Sequence, residues 1–183
     1  MKLPVLIIVG CGKGVWDELN QLILMLEAYE KKYELMAINL AIFGLEAAKK
    51  VDRLPLVHWA SVHPEYFVFK RLHGYMVATH SNKPGPGVDY VWNNCNTGGG
   101  SALWATKIAI EHLHKTHIIL VGVPMDSKGR FYDSPWSQYP DYNAFGSHHP
   151  WQISVEDFQN KVRSMSGYTK ELLGEPTLEW LNA

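Results

Sequence analysis

Two glycine clusters stand where chemistry at a phosphate would need them. Gly10-Cys11-Gly12-Lys13-Gly14 follows a short apolar run and precedes a helical pattern. Glycines between a strand and a helix let the backbone approach a phosphate, and the helix N–H groups and dipole favour the anion. Lys13 then either pairs with that phosphate or is solvated. The spacing is not that of a Walker A loop, and the third glycine of the dinucleotide fingerprint is missing, so a tight strand-to-helix turn is the competing reading. Asn96-Thr97-Gly98-Gly99-Gly100-Ser101 opens a second helical pattern. Three consecutive glycines suit neither a helix nor a strand. Close approach of the backbone to a ligand accounts for them better than a hinge does, which makes this a second anion cradle. Asn93, Asn94 and Asn96 either read base or sugar edges or make turns.

Gly122–Tyr132 leaves the end of an apolar run, where open α/β sheets bind ligands. Asp126 there is a candidate base or metal ligand, and Tyr132 a candidate hydroxyl donor to a departing phosphate. The alternatives are a turn aspartate and a packing tyrosine. His148-His149 offers one imidazole as proton acceptor. Adjacent imidazoles point apart, and with no CxxC or HExxH spacing the reading is against a structural metal. Arg163 with Ser164 and Ser166 forms either a clamp for a phosphate or carboxylate or a helix cap beside a solvated arginine. His112, His114 and His117 read as a solvated edge. His58, His63, His73 and His80 carry no spacing signal, although His63 follows a strand and is placed to face the site.

These groups need elements to position them. Leu3–Val9 is a continuous apolar run of the kind that forms a strand buried on both faces, and Thr116–Val121 is a second buried strand ending at Gly122. Leu35–Ile42, Pro55–Trp59, Tyr75–Thr79 and Tyr90–Trp92 are further strand candidates. Apolar residues recur at helical spacing over Val15–Lys32 and from Asn96 to about His114, with shorter helices over Phe43–Val51 and Pro64–His73. Strands alternating with helices imply βαβ crossovers and a mainly parallel sheet. The fold expected is α/β, a Rossmann-like three-layer sandwich in one domain spanning residues 1–183. Arg130–Trp151, too long for a passive connection, is expected to be an active-site loop or lid. Val155–Trp180 is expected to be a helical tail, capped midway by Ser166 and stopped at Gly174.

Composition narrows the class. The chain has 183 residues, 46% hydrophobic and 19% charged, with 17 basic against 18 acidic side chains and a net charge of -1. That fits a globular domain and argues against a broad nucleic-acid surface. Two cysteines, Cys11 and Cys95, make no disulfide framework and read as reduced thiols in a cytoplasmic protein. No signal peptide is visible, and no apolar stretch approaches the roughly 20 residues needed to span a bilayer.

The order of these features resembles the bacterial sialyltransferases that use CMP-sialic acid, and the related archaeal-type 6-hydroxymethylpterin pyrophosphokinases. The resemblance covers roughly residues 4–150 and rests on the glycine turn after the first strand, Asn39 on the second, Thr97-Gly98-Gly99 opening a helix, Gly122-Val123 ending a strand, the Gly-Arg-Phe-Tyr turn and a late histidine. It implies that Gly10, Gly12 and Gly14 approach a nucleotide and Asn39 lies near the phosphate and sugar. Thr97, Gly98 and Gly99 would cradle the ribose and phosphate. Tyr132 would stabilise the departing phosphate, and His148 or His149 would deprotonate the acceptor hydroxyl. The sequence departs from that pattern where the usual Gly-x-Gly-Pro-Ser is Gly-Cys-Gly-Lys-Gly, where Gly98 replaces a serine, and where Asp126 stands near a second tyrosine's place.

The leading expectation is therefore a small nucleotide-dependent transferase moving a glycosyl group from a nucleotide sugar, CMP-type first, to a hydroxyl acceptor. The alternatives are a phosphoryl or pyrophosphoryl transferase acting on a pterin-like or nucleoside acceptor, with Mg²⁺ held by Asp126 and Asp133, and a non-catalytic nucleotide-binding module. No membrane partner is expected. The many aromatic side chains are compatible with a homo-oligomer.

Overall fold

A computed structural model describes residues 3–48, 53–93, 98, 100–126, 128–133, 148–158 and 160–183. Among them, seven strands form one sheet in the order β5-β4-β3-β2-β1-β6-β7, and every pairing is parallel. The strands are β1 (Val5–Val9), β2 (Tyr33–Ile38), β3 (Leu56–Ala60), β4 (Ala78–Ser81), β5 (Tyr90–Val91), β6 (Ile118–Val121) and β7 (Val162–Ser164). The helices are α1 (Val15–Ala28), α2 (Ala41–Ala47), α3 (Phe69–His73), α4 (Gly100–Glu111), α5 (His148–Ser154), α6 (Gly167–Leu173) and α7 (Leu178–Asn182), with 3-10 turns at Pro64–Val68 and Glu156–Phe158. The α/β, Rossmann-like expectation holds.

The layers follow from strand alternation. In β1, Val5, Ile7 and Val9 face one core with Val15, Leu19, Leu22 and Leu26 of α1, Ile42 of α2 and Trp180 of α7. Leu6 and Ile8 face the other core, with Leu103, Trp104 and Ile108 of α4 and Trp151 of α5. A strand covered by helices on both sides has no polar face, which is why its sequence is a continuous apolar run.

Two expectations need correction. The tail is not helical throughout. It forms the 3-10 turn, then β7, which pairs with β6 as Ile118↔Val162 and Leu120↔Ser164, then two short helices. Left-handed backbone at Asn160 (φ 64°) and Gly167 (φ 62°) brackets β7 and separates it from helix on either side. Arg130–Trp151 is not loop to its end, because α5 starts at His148. Residues 134–147 of that expected lid lie outside the described residues. At the other boundaries the differences are small: β2 stops at Ile38, so Asn39 is a turn residue, and β4 begins three residues after Tyr75.

A polar chain crosses β2, β3 and β4. The Trp92 indole N–H donates to His80 Nδ1 at 3.1 Å, and His80 Nε2 lies 3.0 Å from His58 Nδ1. His58 Nε2 is 3.7 Å from the Glu34 carboxylate, which also pairs with the buried Lys115. With Nδ1 of His80 accepting from Trp92, its Nε2 must carry the proton shared with His58. His80 is 1% exposed, and burial drives its imidazole down to about 3.

Candidate functional site

The chain runs β1 to β5 toward one edge of the sheet, then returns so that β6 lies on the other side of β1. Open parallel sheets bind ligands beyond the strand C-termini at such a switch point. A cleft of about 170 Å³ lies there. Its walls are the turn after β1 (Gly10, Cys11, Gly12), the turn after β2 (Asn39, Leu40), the segment after β3 (His63, Tyr66), the start of α4 (Gly100, Ser101) and the loop after β6, from Gly122 to Tyr132.

The glycine turn after β1 is explained mainly by packing. The Gly10 N–H donates to Val121 O and the Gly12 N–H to Gly122 O, both at 2.8 Å. A Cβ on Gly10 would meet Gly122 O at 2.4 Å, and one on Gly12 would meet Pro124 Cδ at 2.6 Å. These glycines let the turns after β1 and β6 pass in contact, and their N–H groups are engaged before any ligand arrives. The Gly122 N–H goes to Glu18 Oε2 at 2.7 Å. Gly12 and Arg130 form an antiparallel bridge, with the Phe131 N–H donating to Cys11 O. Gly10 and Gly12 thus shape the cleft wall, while exposed Lys13 and Gly14 do not line it. Cys11 does line it, and burial pushes its thiol up to about 11, so it sits there as a neutral SH.

Asn39 is the most constrained residue of the cleft. Its φ of 51° is left-handed, a conformation that costs a non-glycine residue about 1 kcal/mol. Its N–H donates to Ala60 O at 3.0 Å, and its carbonyl accepts the Trp59 indole N–H at 2.7 Å. The fully buried Ser61 donates its hydroxyl to Asn39 Oδ1 at 2.7 Å and accepts the His63 N–H at 2.9 Å. Because Oδ1 is taken by Ser61, the amide edge left to a ligand is the NH₂ donor edge.

Of the second glycine cluster, Asn96, Thr97 and Gly99 lie outside the described residues. Gly98 is exposed. Gly100 (φ 77°) and Ser101 open α4 at the cleft, and Ser101 Oγ lies 3.4 Å from the Val62 N–H. An α4 terminus facing a cleft supplies N–H groups and dipole to an anion.

The loop after β6 brings three polar side chains. Asp126 lines the cleft, and its Oδ1 accepts the Lys128 N–H at 3.0 Å. Arg130 donates from Nη1 to the Tyr132 hydroxyl at 2.9 Å. Burial raises the Tyr132 phenol above its ordinary value, so at neutral pH it keeps its proton. With the oxygen accepting from arginine, that proton is available to a ligand acceptor. Arg130, in the Gly-Arg-Phe-Tyr turn, is a site residue that its sequence neighbourhood does not single out. Asp133 does not line the cleft; its carboxylate accepts the Arg130 N–H. Among the described residues, no group of three or more His, Cys, Asp and Glu could hold a metal.

The other expected site residues fall elsewhere. His148 Nε2 is 2.9 Å from the Met125 carbonyl, and its ring stacks on Tyr168 at 3.7 Å, outside the cleft lining. His149 is exposed on α5, outside the cleft lining. Arg163 donates to Asn160 Oδ1 and to the Val162 carbonyl and lies 5.1 Å over the Trp180 ring. Ser166 stands at the start of α6 without a capping bond. Both lie beyond the cleft lining, so the clamp expected of Arg163 and Ser166 does not reach the cleft. Among the described residues no helix is long and apolar enough to cross a membrane. Comparison with protein-family models, curated proteins and solved structures finds no match.

Proposed function

We propose that this chain is a small nucleotide-dependent transferase of the glycosyltransferase type, taking a nucleotide sugar, CMP-type first, as donor. The observation that carries the reading is the cleft at the sheet's switch point, where the Asn39 amide, the α4 terminus at Gly100 and Ser101, and the Arg130–Tyr132 pair all present hydrogen-bond donors. A site built of donors suits a phosphate and the sugar oxygens beside it. Breaking a glycosyl–phosphate bond leaves charge on the phosphate, and donors fixed in advance stabilise that charge in the transition state. Arg130 and the Tyr132 hydroxyl are the groups for this step, while Asn39 and the α4 terminus hold the nucleotide. The resemblance in residue order to CMP-sialic acid enzymes favours the same donor class.

The test is release of free nucleotide from CMP-, UDP- and GDP-sugars, with saccharides or water as acceptor. Tyr132→Phe and Arg130→Gln are each expected to lower kcat by about 10²–10³-fold, the usual effect of removing one oxyanion donor. The reading fails if no nucleotide is released and none raises Tm.

A further inference from the structure

The proton of the acceptor hydroxyl needs a base at the cleft, and the two late histidines do not line it. His63 does. It ends the segment after β3, its backbone N–H bonded to Ser61 Oγ, and Pro64 opens the 3-10 turn behind it. Ser61 therefore holds both the Asn39 amide and the His63 main chain. Among the described residues one carboxylate attends the ring, with His63 Nδ1 3.3 Å from Glu65 Oε1. A carboxylate at Nδ1 favours the tautomer with its proton there and leaves the Nε2 lone pair as acceptor. Tyr66, its ring 5.6 Å from that of His63, closes the same side. On the β6 side the cleft carries Asp126, Arg130 and Tyr132. An inverting displacement at an anomeric carbon needs the base and the leaving-group donors on opposite sides of the reacting centre, and here His63 follows β3 while Arg130 and Tyr132 follow β6, with β2 and β1 between those strands.

We propose that His63 is the general base of this cleft and Glu65 the positioning residue that sets its tautomer; the proposal rests on the transferase reading above. The acceptor O–H proton passes to His63 Nε2 as its oxygen bonds to the anomeric carbon. The bond from that carbon to the phosphate oxygen breaks, and its electron pair leaves with the nucleotide, received by Arg130 and Tyr132. The imidazolium, paired with Glu65, returns its proton to water. Among the described residues, the charged groups around it are Glu65 on its own turn, Lys83 near Glu65, and Asp126 and Arg130 across the cleft.

Two measurements test this. In ¹⁵N NMR at pH 7.5, neutral His63 is expected as the Nδ1–H tautomer in the wild type and to shift toward Nε2–H in Glu65→Gln. An Nε2–H wild type overturns the pairing whether or not the protein is an enzyme. In the nucleotide-sugar assay, His63→Gln is expected to lose about 10²–10⁴-fold in transfer. Glu65→Gln is expected to lose less. A His63→Gln variant that keeps wild-type transfer overturns the base assignment. A wild type that turns over none of the three donors overturns the transferase reading and the base role with it, and the tautomer still decides the Glu65–His63 pair.

Discussion

The sharpest stability prediction concerns His80, which has no role in the cleft. Its ring is buried, accepts from Trp92 and lies within hydrogen-bond distance of His58. Burial lowers its pKa from 6.5 to about 3; His58 and Lys70 push the same way, and Asp89 opposes them. Between those two values the unfolded chain holds a proton that the folded chain refuses, so stability falls as pH falls. The slope approaches about 1.4 kcal/mol per pH unit, giving a loss of about 2 kcal/mol at pH 5 relative to pH 8. His80→Gln removes this titration. At neutral pH it should cost about 1–2 kcal/mol, because the Trp92 indole and His58 lose a well-placed partner. The two stability curves should therefore cross between about pH 6 and pH 5. Urea unfolding at half-unit steps from pH 7.5 to 4.5 reads the crossing. Parallel curves, or an NMR titration placing His80 near 6 in the folded protein, would refute the argument.

Asn39 and Cys11 support two further expectations. Because Asn39 sits at φ 51°, Asn39→Gly should be more stable than Asn39→Ala by about 1 kcal/mol in denaturant unfolding, while both lose nucleotide-dependent stabilisation. With its thiol near 11 rather than 9.0, Cys11 should alkylate at pH 8 about 100-fold more slowly than an ordinary thiol of the same exposure, followed by site-resolved mass spectrometry, and denaturant should abolish the difference.

What could be read from the sequence follows physical range. Val5–Val9 and Ile118–Val121 announce themselves because strands buried on both faces must be apolar without interruption. Val162–Ser164 does not, since three residues with an arginine at the centre carry no periodicity, and only pairing with β6 makes them a strand. The glycines after β1 were legible as a tight feature but not as to cause. A glycine that admits a phosphate and one that admits Gly122 look alike until the second turn is in place. Asn39 is marked in the sequence only by the resemblance, as a residue on the second strand. Its partners Trp59 and Ser61 lie about 20 residues away, and their hold on it is a matter of parallel register. His63 gave only a faint positional hint, because a single histidine has no spacing to read. A late histidine has only its place in the chain order to mark it, and the fold sets His148 against the Met125 carbonyl and the Tyr168 ring, outside the cleft lining.

The central position of β1 also bears on synthesis. It pairs with β2 almost at once, but its other neighbour, β6, is about 110 residues further along. At about 5–20 residues per second, a nascent chain waits roughly 5–20 s with one edge of its most apolar strand unpaired. The cleft spans that late seam, with walls from the turns after β1 and β6. The longest-range closure of the sheet is therefore also the birth of the site, and a chain stalled before β6 would expose aggregation-prone strand edge without any binding capacity.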